Sequence, residues 1–232
     1  MDAIIMCAGA GTRLRPLTLT VPKPLVPVGK TSPLRRLLDT LPERVSRVIL
    51  VVGYLGDEIE KAIGNASKGR PVLYVRQETL DGTGGALRRC RDVIHSERFL
   101  VLNGDDMYVE EDLQSLVRVP CGLLYVIRRF PRTIDGCTLD REGYLLGIAP
   151  VAPGGDVRIN VGAYCLDRDW FLTQPTLVPG KANEWSLPHA LPELVQRGKR
   201  VKAIAARHWM PVGTPEELTR AELWLGDEGE GT

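Results

Sequence analysis

Residues 7–30 read CAGAGTRLRPLTLTVPKPLVPVGK and follow a short apolar run, 3–6, whose composition predicts a buried β-strand. The small residues at 8–11 let backbone N–H groups approach a ligand and form an anion-binding concavity. Arg13 adds a guanidinium whose fork of donors suits phosphate, and Lys23 lies between two prolines that stiffen the segment presenting it. The stretch therefore predicts a strand that leads into a phosphate-binding loop, and the alternative is a glycine turn followed by a solvated basic loop.

Further apolar runs in the first half of the chain alternate with segments that predict helices. The predicted strands cover 47–52, 72–75 and 99–102, and the predicted helices cover 33–41, 57–63 and 82–94. This alternation predicts right-handed crossovers and a mostly parallel sheet, with ligands at the carboxyl ends of its strands. We therefore expect an α/β fold, a Rossmann-like three-layer sandwich with a mostly parallel mixed central sheet.

The pattern changes after Cys121, where short predicted strands are separated by Gly and Pro turns. These strands predict a small antiparallel excursion from the main sheet. We find no linker that would divide the chain, so we expect one domain over residues 1–225. The Gly- and acid-rich segment 226–232 is expected to be a disordered tail.

Composition excludes several classes of function. The net charge of +1 gives no electrostatic basis for binding nucleic acid or an anionic membrane. No apolar run reaches the length of a membrane span, and the N-terminus lacks the layout of a signal peptide. The five cysteines are scattered and form no C-x-x-C motif, which indicates a reduced, cytoplasmic protein without structural zinc.

Two more polar clusters follow predicted strands. Gln77, followed by Gly82 and Thr83, offers an amide that can donate and accept hydrogen bonds at the edge of a base. The alternative is an exposed glutamine before the N-terminus of a helix. Asp105 follows the strand at 99–102 and is suited to holding Mg²⁺ against phosphates. Its alternative role is to cap a turn, since Asn-Gly-Asp is common in turns.

The loop resembles a known family. Residues 9–18, then 22–24 and 27–28, match G-x-G-T-R-L-x-P-L-T, P-K-P and P-V, the pattern of sugar-1-phosphate nucleotidyltransferases. The resemblance is close over residues 1–113 and looser to about 225. It implies an enzyme that couples a nucleoside triphosphate to a sugar 1-phosphate, giving an NDP-sugar and pyrophosphate, with Mg²⁺ as cofactor.

The resemblance also implies roles for individual residues. Arg13 and Lys23 would be catalytic, and Asp105 would be a metal ligand. Nucleotide-binding residues would be Ala8, Gly9, Ala10, Gly11, Thr12, Gln77, Gly82 and Thr83. Sugar-binding residues would be Gly136, Asn160 and Gly162. The spacing of Gln77 and Gly82 favours UTP or dTTP, while GTP and CTP stay open, and a homo-oligomer is compatible with this interpretation.

Three departures from the family pattern leave a second interpretation open. Pro211 stands where relatives carry the second metal-binding Asp, and Ile148-Ala149-Pro150 replaces their Glu-Lys-Pro. Relatives often carry acidic residues just before a later Leu-Pro, and here none lies directly before Leu191-Pro192. The alternative is a nucleotide-binding relative with weak or no catalysis that regulates a partner transferase. A third option keeps the enzyme but has CTP and another phospho-alcohol as its substrates.

Overall fold

The computed structural model describes residues 1–229, which form an eight-stranded sheet flanked by helices. The elements of the first half are β1 (Asp2–Met6), α1 (Pro33–Asp39), β2 (Arg47–Val52), α2 (Gly56–Ile63), β3 (Ala66–Ser67), β4 (Arg70–Arg76), α3 (Gly82–Arg89), β5 (Arg98–Asn103), β6 (Asp106–Tyr108) and α4 (Glu110–Arg118). Those of the second half are β7 (Gly122–Arg129), β8 (Ile134–Leu139), β9 (Leu145–Val151), β10 (Asp156–Asp167), α5 (Leu191–Gln196), β11 (Lys202–Ala205), β12 (Trp209–Pro211) and α6 (Pro215–Gly229).

The strand order of the main sheet is β11-β7-β10-β5-β1-β2-β4-β3. β1 pairs in parallel with β2 on one side and with β5 on the other, and β2 continues in parallel to β4. β10 runs antiparallel to both of its neighbours, β5 and β7. The strand order reverses direction at β1, so the loop after β1 leaves the sheet at the position where ligands bind in open α/β sheets.

Alternate side chains of the central strands are buried on opposite faces of the sheet. On one face, Ile4 and Phe99 pack in a core cluster that includes residues of α3 and α5. On the other face, Ile5 and Leu50 pack in a cluster that includes residues of α1 and α4. Helices therefore cover both faces, and the predicted three-layer sandwich with a mostly parallel mixed sheet is confirmed.

The antiparallel excursion is the hairpin of β8 and β9, which pair only with each other. A second small ladder joins β6 to β12 and was not expected from the sequence. It brings the segment before α6 back beside the carboxyl end of β5. No helix in the described part of the chain is long and apolar enough to cross a bilayer.

Most of the boundaries predicted above lie within two residues of those in the structure, and two differ by more. The helix expected over 82–94 ends at Arg89, because Cys90 and Val93 donate to carbonyls three residues back and form tight turns instead. The expected tail begins at 226, but α6 continues to Gly229. Extending an existing helix adds one hydrogen bond for each residue fixed, which favours this continuation. Residues 230–232 lie outside the described residues.

Candidate nucleotide-binding site

The loop after β1 folds back on itself around Gly11, which has φ +60° in the left-handed region. The hydroxyl of Thr18 donates to the Gly11 carbonyl at 2.8 Å. A Cβ atom on Gly11 would lie 2.9 Å from both Lys23 Cβ and Thr18 Cγ2. Glycine is required here because the backbone is left-handed and because there is no space for a Cβ. The absence of a side chain lets the Lys23 segment pack directly on the start of the loop.

A cavity of about 340 Å³ opens at the carboxyl ends of β1 and β5. Seven of the predicted site residues line it: Ala8, Gly9, Lys23, Gln77, Gly82, Thr83 and Asp105. They come from three separate stretches of sequence, and the parallel register of the sheet brings these stretches together. Ala10, Gly11, Thr12 and Arg13 belong to the same loop but lie outside the lining of the cavity.

Lys23 and Asp105 form an ion pair at the cavity wall, with their side chains only 13% and 25% exposed. Asp105 comes directly after β5, and Gly104 before it donates its N–H to the Met6 carbonyl at 3.0 Å. This bond fixes the start of the Asp105 turn against the end of β1. One cation and one carboxylate therefore lie side by side where phosphates would enter.

Arg13 approaches Lys23 at Gly213, in the turn before α6. The position of a Cβ on Gly213 would be 2.9 Å from Arg13 Nη2 and 3.2 Å from Lys23 Nζ. Glu217 Oε2 would lie 3.0 Å from the same Cβ position, and this carboxylate accepts the Gly213 N–H at 2.9 Å. The two predicted cations therefore converge, and the absence of a side chain at Gly213 leaves room for both.

Gln77 is buried at the end of β4, and its amide makes two internal hydrogen bonds. Nε2 donates to Asp81 Oδ1 at 2.8 Å and to the Gly82 carbonyl at 3.0 Å. Arg89 in turn holds Asp81, donating to both carboxylate oxygens at 2.8 and 2.9 Å. The alternative of an exposed glutamine is therefore wrong, and the Gln77 side chain is held at the cavity wall.

The segment before α5 covers the glycine-rich start of α3. The Trp185 N–H donates to the Asp81 carbonyl at 2.7 Å, and the Gly84 N–H donates to the Trp185 carbonyl at 2.8 Å. Gly82 has φ +87°, and a Cβ there would overlap the Trp185 backbone. Glu184 from the covering segment lines the cavity beside Gly82. This contact joins residues about a hundred positions apart, so local sequence patterns do not predict it.

Comparison with known proteins places this arrangement in a family. Residues 2–120 match the family model described as nucleotidyl transferase, which is about half of the chain. The chain belongs to the nucleotidyl transferase family. The predicted resemblance to its sugar-1-phosphate members is thereby confirmed at the level of the family.

Individual relatives differ in their names. The chain is 32% identical to the bifunctional protein GlmU of Methanocaldococcus jannaschii over 98% of its length, and it spans 55% of that protein. It is 29% identical to the mannose-1-phosphate guanylyltransferase of Mycobacterium tuberculosis, covering 97% of this chain and 64% of that protein. The chain thus spans about half of the first of these curated relatives. The crystal structure of HddC from Yersinia pseudotuberculosis complexed with GMP-PN shares the fold, with a TM-score of 0.74 at 23% identity over 97% of this chain and 99% of that one.

In this nucleotidyl transferase chain, the predicted sugar-binding residues lie apart from the cavity lining. Gly136 is on β8, where a Cβ would contact Val151 at 3.0 Å and overlap the space of Val157. Asn160 and Gly162 lie where β10 loses register with β7. Asn160 Oδ1 accepts the Gly162 N–H at 3.3 Å, and Gly162 packs against Asn103, a cavity-lining residue. Their role toward a sugar stays a prediction.

Two carboxylates line the cavity, those of Asp105 and Glu184, and Asp105 is the one that the family pattern implies as a ligand of magnesium. Among the described residues, no group of three or more His, Cys, Asp and Glu side chains could hold a metal unaided. Magnesium usually keeps several waters and binds through one or two carboxylates together with substrate phosphates. The partly exposed Asp105 fits that pattern of coordination, provided that the phosphates supply the remaining oxygens.

Pro211, which replaces the expected second acid, pairs with Asp106 in the ladder of β12 and β6. Burial of Asp106, together with the neighbouring Asp105 charge, raises the pKa of its carboxyl to about 8. Asp106 Oδ2 accepts from Asn103 Nδ2 at 3.0 Å and from the Tyr108 hydroxyl at 3.4 Å. A proline at 211 therefore faces an acid that is already buried and difficult to ionise.

Proposed function

We propose that this protein is a sugar-1-phosphate nucleotidyltransferase that joins a nucleoside triphosphate to a sugar 1-phosphate and releases pyrophosphate. The observation that carries the proposal is the convergence of Lys23, Asp105 and Arg13 beside a cavity that Gln77 also lines. Phosphates would occupy the charged end of this cavity and a base the amide end. Membership of the nucleotidyl transferase family supports the same assignment.

The reaction needs no covalent intermediate on the protein. An oxygen of the sugar 1-phosphate attacks the α-phosphorus of the nucleotide, and the bond from that phosphorus to the oxygen bridging to the β-phosphate breaks. Pyrophosphate leaves with the electron pair of that bond. The protein therefore contributes mainly by positioning and by neutralising charge on the phosphoryl oxygens.

Lys23 is proposed to stabilise the α-phosphate as charge redistributes in the transition state, and Arg13 to hold the β- and γ-phosphates. Asp105 would hold Mg²⁺, which neutralises phosphate charge when bound. Lys23 and Asp105 form an ion pair in the structure. The arriving phosphates replace the Asp105 carboxylate as the anionic partner of Lys23, so both groups are placed before the substrate enters.

The favoured nucleotides are UTP and dTTP, because the spacing of Gln77 and Gly82 resembles that of uridylyl- and thymidylyl-transferring relatives. GTP stays a substrate to test, since one relative is named as a guanylyltransferase. We propose a cytoplasmic location on the basis of five free cysteines, all buried. The proposed partners are the two substrates and, as a further proposal, a second copy of the chain.

Pro211 is the observation that favours the second candidate, a nucleotide-binding regulatory relative with weak catalysis. In that case the protein would bind a nucleoside triphosphate but would not transfer its nucleotidyl group. The two candidates therefore differ in turnover and agree in binding.

Pyrophosphate release tests the proposal. Purified protein with Mg²⁺ is incubated with each nucleoside triphosphate or dTTP and a panel of sugar 1-phosphates, and calorimetry measures nucleotide binding in parallel. We expect release that requires one nucleotide and one sugar phosphate, that is lost in Lys23→Ala, and that is kept in Lys30→Ala, an exposed lysine near the same loop. Binding without release across the panel would reject transfer and favour the regulatory relative.

A further inference from the structure

The hydrogen bonds around Gln77 fix which atom of its amide faces the cavity. Both N–H groups of Nε2 point to acceptors that cannot donate, the Asp81 carboxylate and the Gly82 carbonyl. If the amide rotated by 180°, its oxygen would face these two acceptors, and the hydrogen bonds would be replaced by repulsion. The orientation of the amide is thus determined by its neighbours, which leaves Oε1 as the amide atom available to a ligand in the cavity that Gln77 lines.

Asp81 is itself held in place by Arg89 on α3. Arg89 donates to both of its oxygens and also to the Gly85 carbonyl at 2.9 Å, one turn further along α3. Gly85 has no side chain, and a Cβ at that position would overlap the Asp81 carboxylate. Arg89 and the absence of a side chain at Gly85 therefore hold the carboxylate where it orients Gln77.

We infer that Asp81 is a positioning residue that sets base selectivity by holding the Gln77 amide with its oxygen toward the base. An acceptor at this position requires a donor on the base. Uracil, thymine and guanine carry a protonated ring nitrogen on their Watson–Crick edge, whereas the corresponding ring nitrogen of cytosine or adenine is itself an acceptor. When the ring nitrogen lies opposite Oε1, cytosine and adenine bring two acceptors together, and their exocyclic amine lies beside that position rather than at it. The fixed amide therefore selects the first three bases and rejects the other two.

This inference rests on the proposed function, because it takes the Gln77 end of the cavity as the base site. It goes beyond that function in excluding cytidine and adenosine nucleotides and in assigning the exclusion to Asp81. Without Asp81, one of the two groups that orient the amide is lost. The amide can then turn its N–H groups to an unprotonated ring nitrogen at a much smaller penalty.

Equilibrium binding tests this without depending on turnover. Isothermal calorimetry with Mg²⁺ gives the Kd of UTP, GTP, CTP and ATP for the wild type, Asp81→Ala and the control Glu78→Ala, an exposed acid of the same segment. For the wild type, we expect UTP or GTP to bind about 10- to 100-fold more tightly than CTP or ATP, since the mismatched bases leave an acceptor unpaired. Asp81→Ala should reduce this ratio to within about 3-fold, and Glu78→Ala should leave it unchanged.

A second variant covers the case in which Asp81→Ala does not fold. Gly85→Ala keeps the carboxylate but displaces it, and the inference expects the same loss of selectivity with Asp81 still present. Equal Kd values for UTP and CTP in the wild type, or an unchanged ratio in both variants, would overturn the role of Asp81. Selective nucleotide binding without pyrophosphate release would reject the proposed transferase while supporting the amide orientation, so the two failures are distinct.

Discussion

Asp2 holds together the three strands that carry the site, and its removal should weaken the fold in a way that depends on pH. Its carboxylate accepts two hydrogen bonds from Arg47 at the start of β2, both at 2.9 Å. It also accepts the backbone N–H groups of His95 and Ser96, just before β5, at 2.8 and 3.1 Å. Burial raises the pKa of this carboxyl, but these four bonds outweigh burial and lower the pKa from 3.8 to about 2.

The difference in pKa sets the size of the effect. Each pKa unit corresponds to about 1.36 kcal/mol, so the ionised carboxylate stabilises the folded state by about 2.5 kcal/mol at neutral pH. Because the folded-state pKa is the lower one, this stability is present above about pH 4 and is lost as the pH falls toward 2. At pH 3, about 1 kcal/mol of it should already be lost.

Urea unfolding between pH 2.5 and 7 measures this for the wild type, Asp2→Asn and the control Asp92→Asn, an exposed aspartate. Asn does not titrate, so the difference in unfolding free energy between the wild type and Asp2→Asn should shrink by about 1 kcal/mol from pH 7 to pH 3. Asp92→Asn should follow the wild type at every pH. Parallel curves for the wild type and Asp2→Asn would refute the reasoning, because they would mean that the carboxylate has the same pKa in the folded and unfolded states.

Three further predictions concern the phosphate end of the cavity. Lys23→Ala should lower the transfer rate far more than the affinity for nucleotide, and equal losses of rate and binding in stopped-flow and calorimetry would argue against a transition-state role. Gly11→Ala should lower thermal stability more than Gly29→Ala, because both glycines have φ near +60° but only the first lacks space for a Cβ. The expected difference is about 1–3 kcal/mol, and equal melting temperatures would exclude the steric part of this argument. Gly213→Ala should weaken nucleotide binding severalfold in calorimetry, because the methyl group of the alanine displaces the ends of the Arg13 and Lys23 side chains. The melting temperature should stay within a few degrees of that of the wild type. Unchanged nucleotide affinity would mean that the phosphates bind elsewhere.

The sequence predicts the parts of this protein that depend on local pattern. The apolar run 47–52 is β2 without any change of boundary, and Ser32, directly before the helix predicted from residue 33, caps α1 by accepting the Arg35 N–H. A strand buried on both faces is apolar throughout, and a helix cap is a local hydrogen bond. Both can therefore be recognised from one short stretch of sequence. Membership of the family was equally predictable, because the loop motif lies within 30 consecutive residues.

The remaining features depend on contacts between distant segments. The ladder of β6 and β12 joins two three-residue strands about a hundred positions apart, and neither is long enough to show alternation. Glu217 lies in the first turn of α6, and its approach to Arg13 depends on how that helix packs. Its spacing from Thr214, which accepts the Glu217 N–H at 3.2 Å, was the one signal that this carboxylate turns back toward the loop.

Pro211 is best understood together with Asp106, its partner across the ladder. An acid at 211 would lie directly opposite a buried carboxyl whose pKa is already raised to about 8 by burial and by Asp105. A second carboxyl at 211 would make ionising either group costlier still, because repulsion across the ladder would add to the cost of desolvation, and proline carries no such group. The exchange leaves Asp105 as the acid beside the phosphate-binding loop, where it is paired with Lys23. A single paired carboxylate binds a free divalent ion weakly, so magnesium in this protein should depend on the phosphates of the nucleotide for most of its coordination.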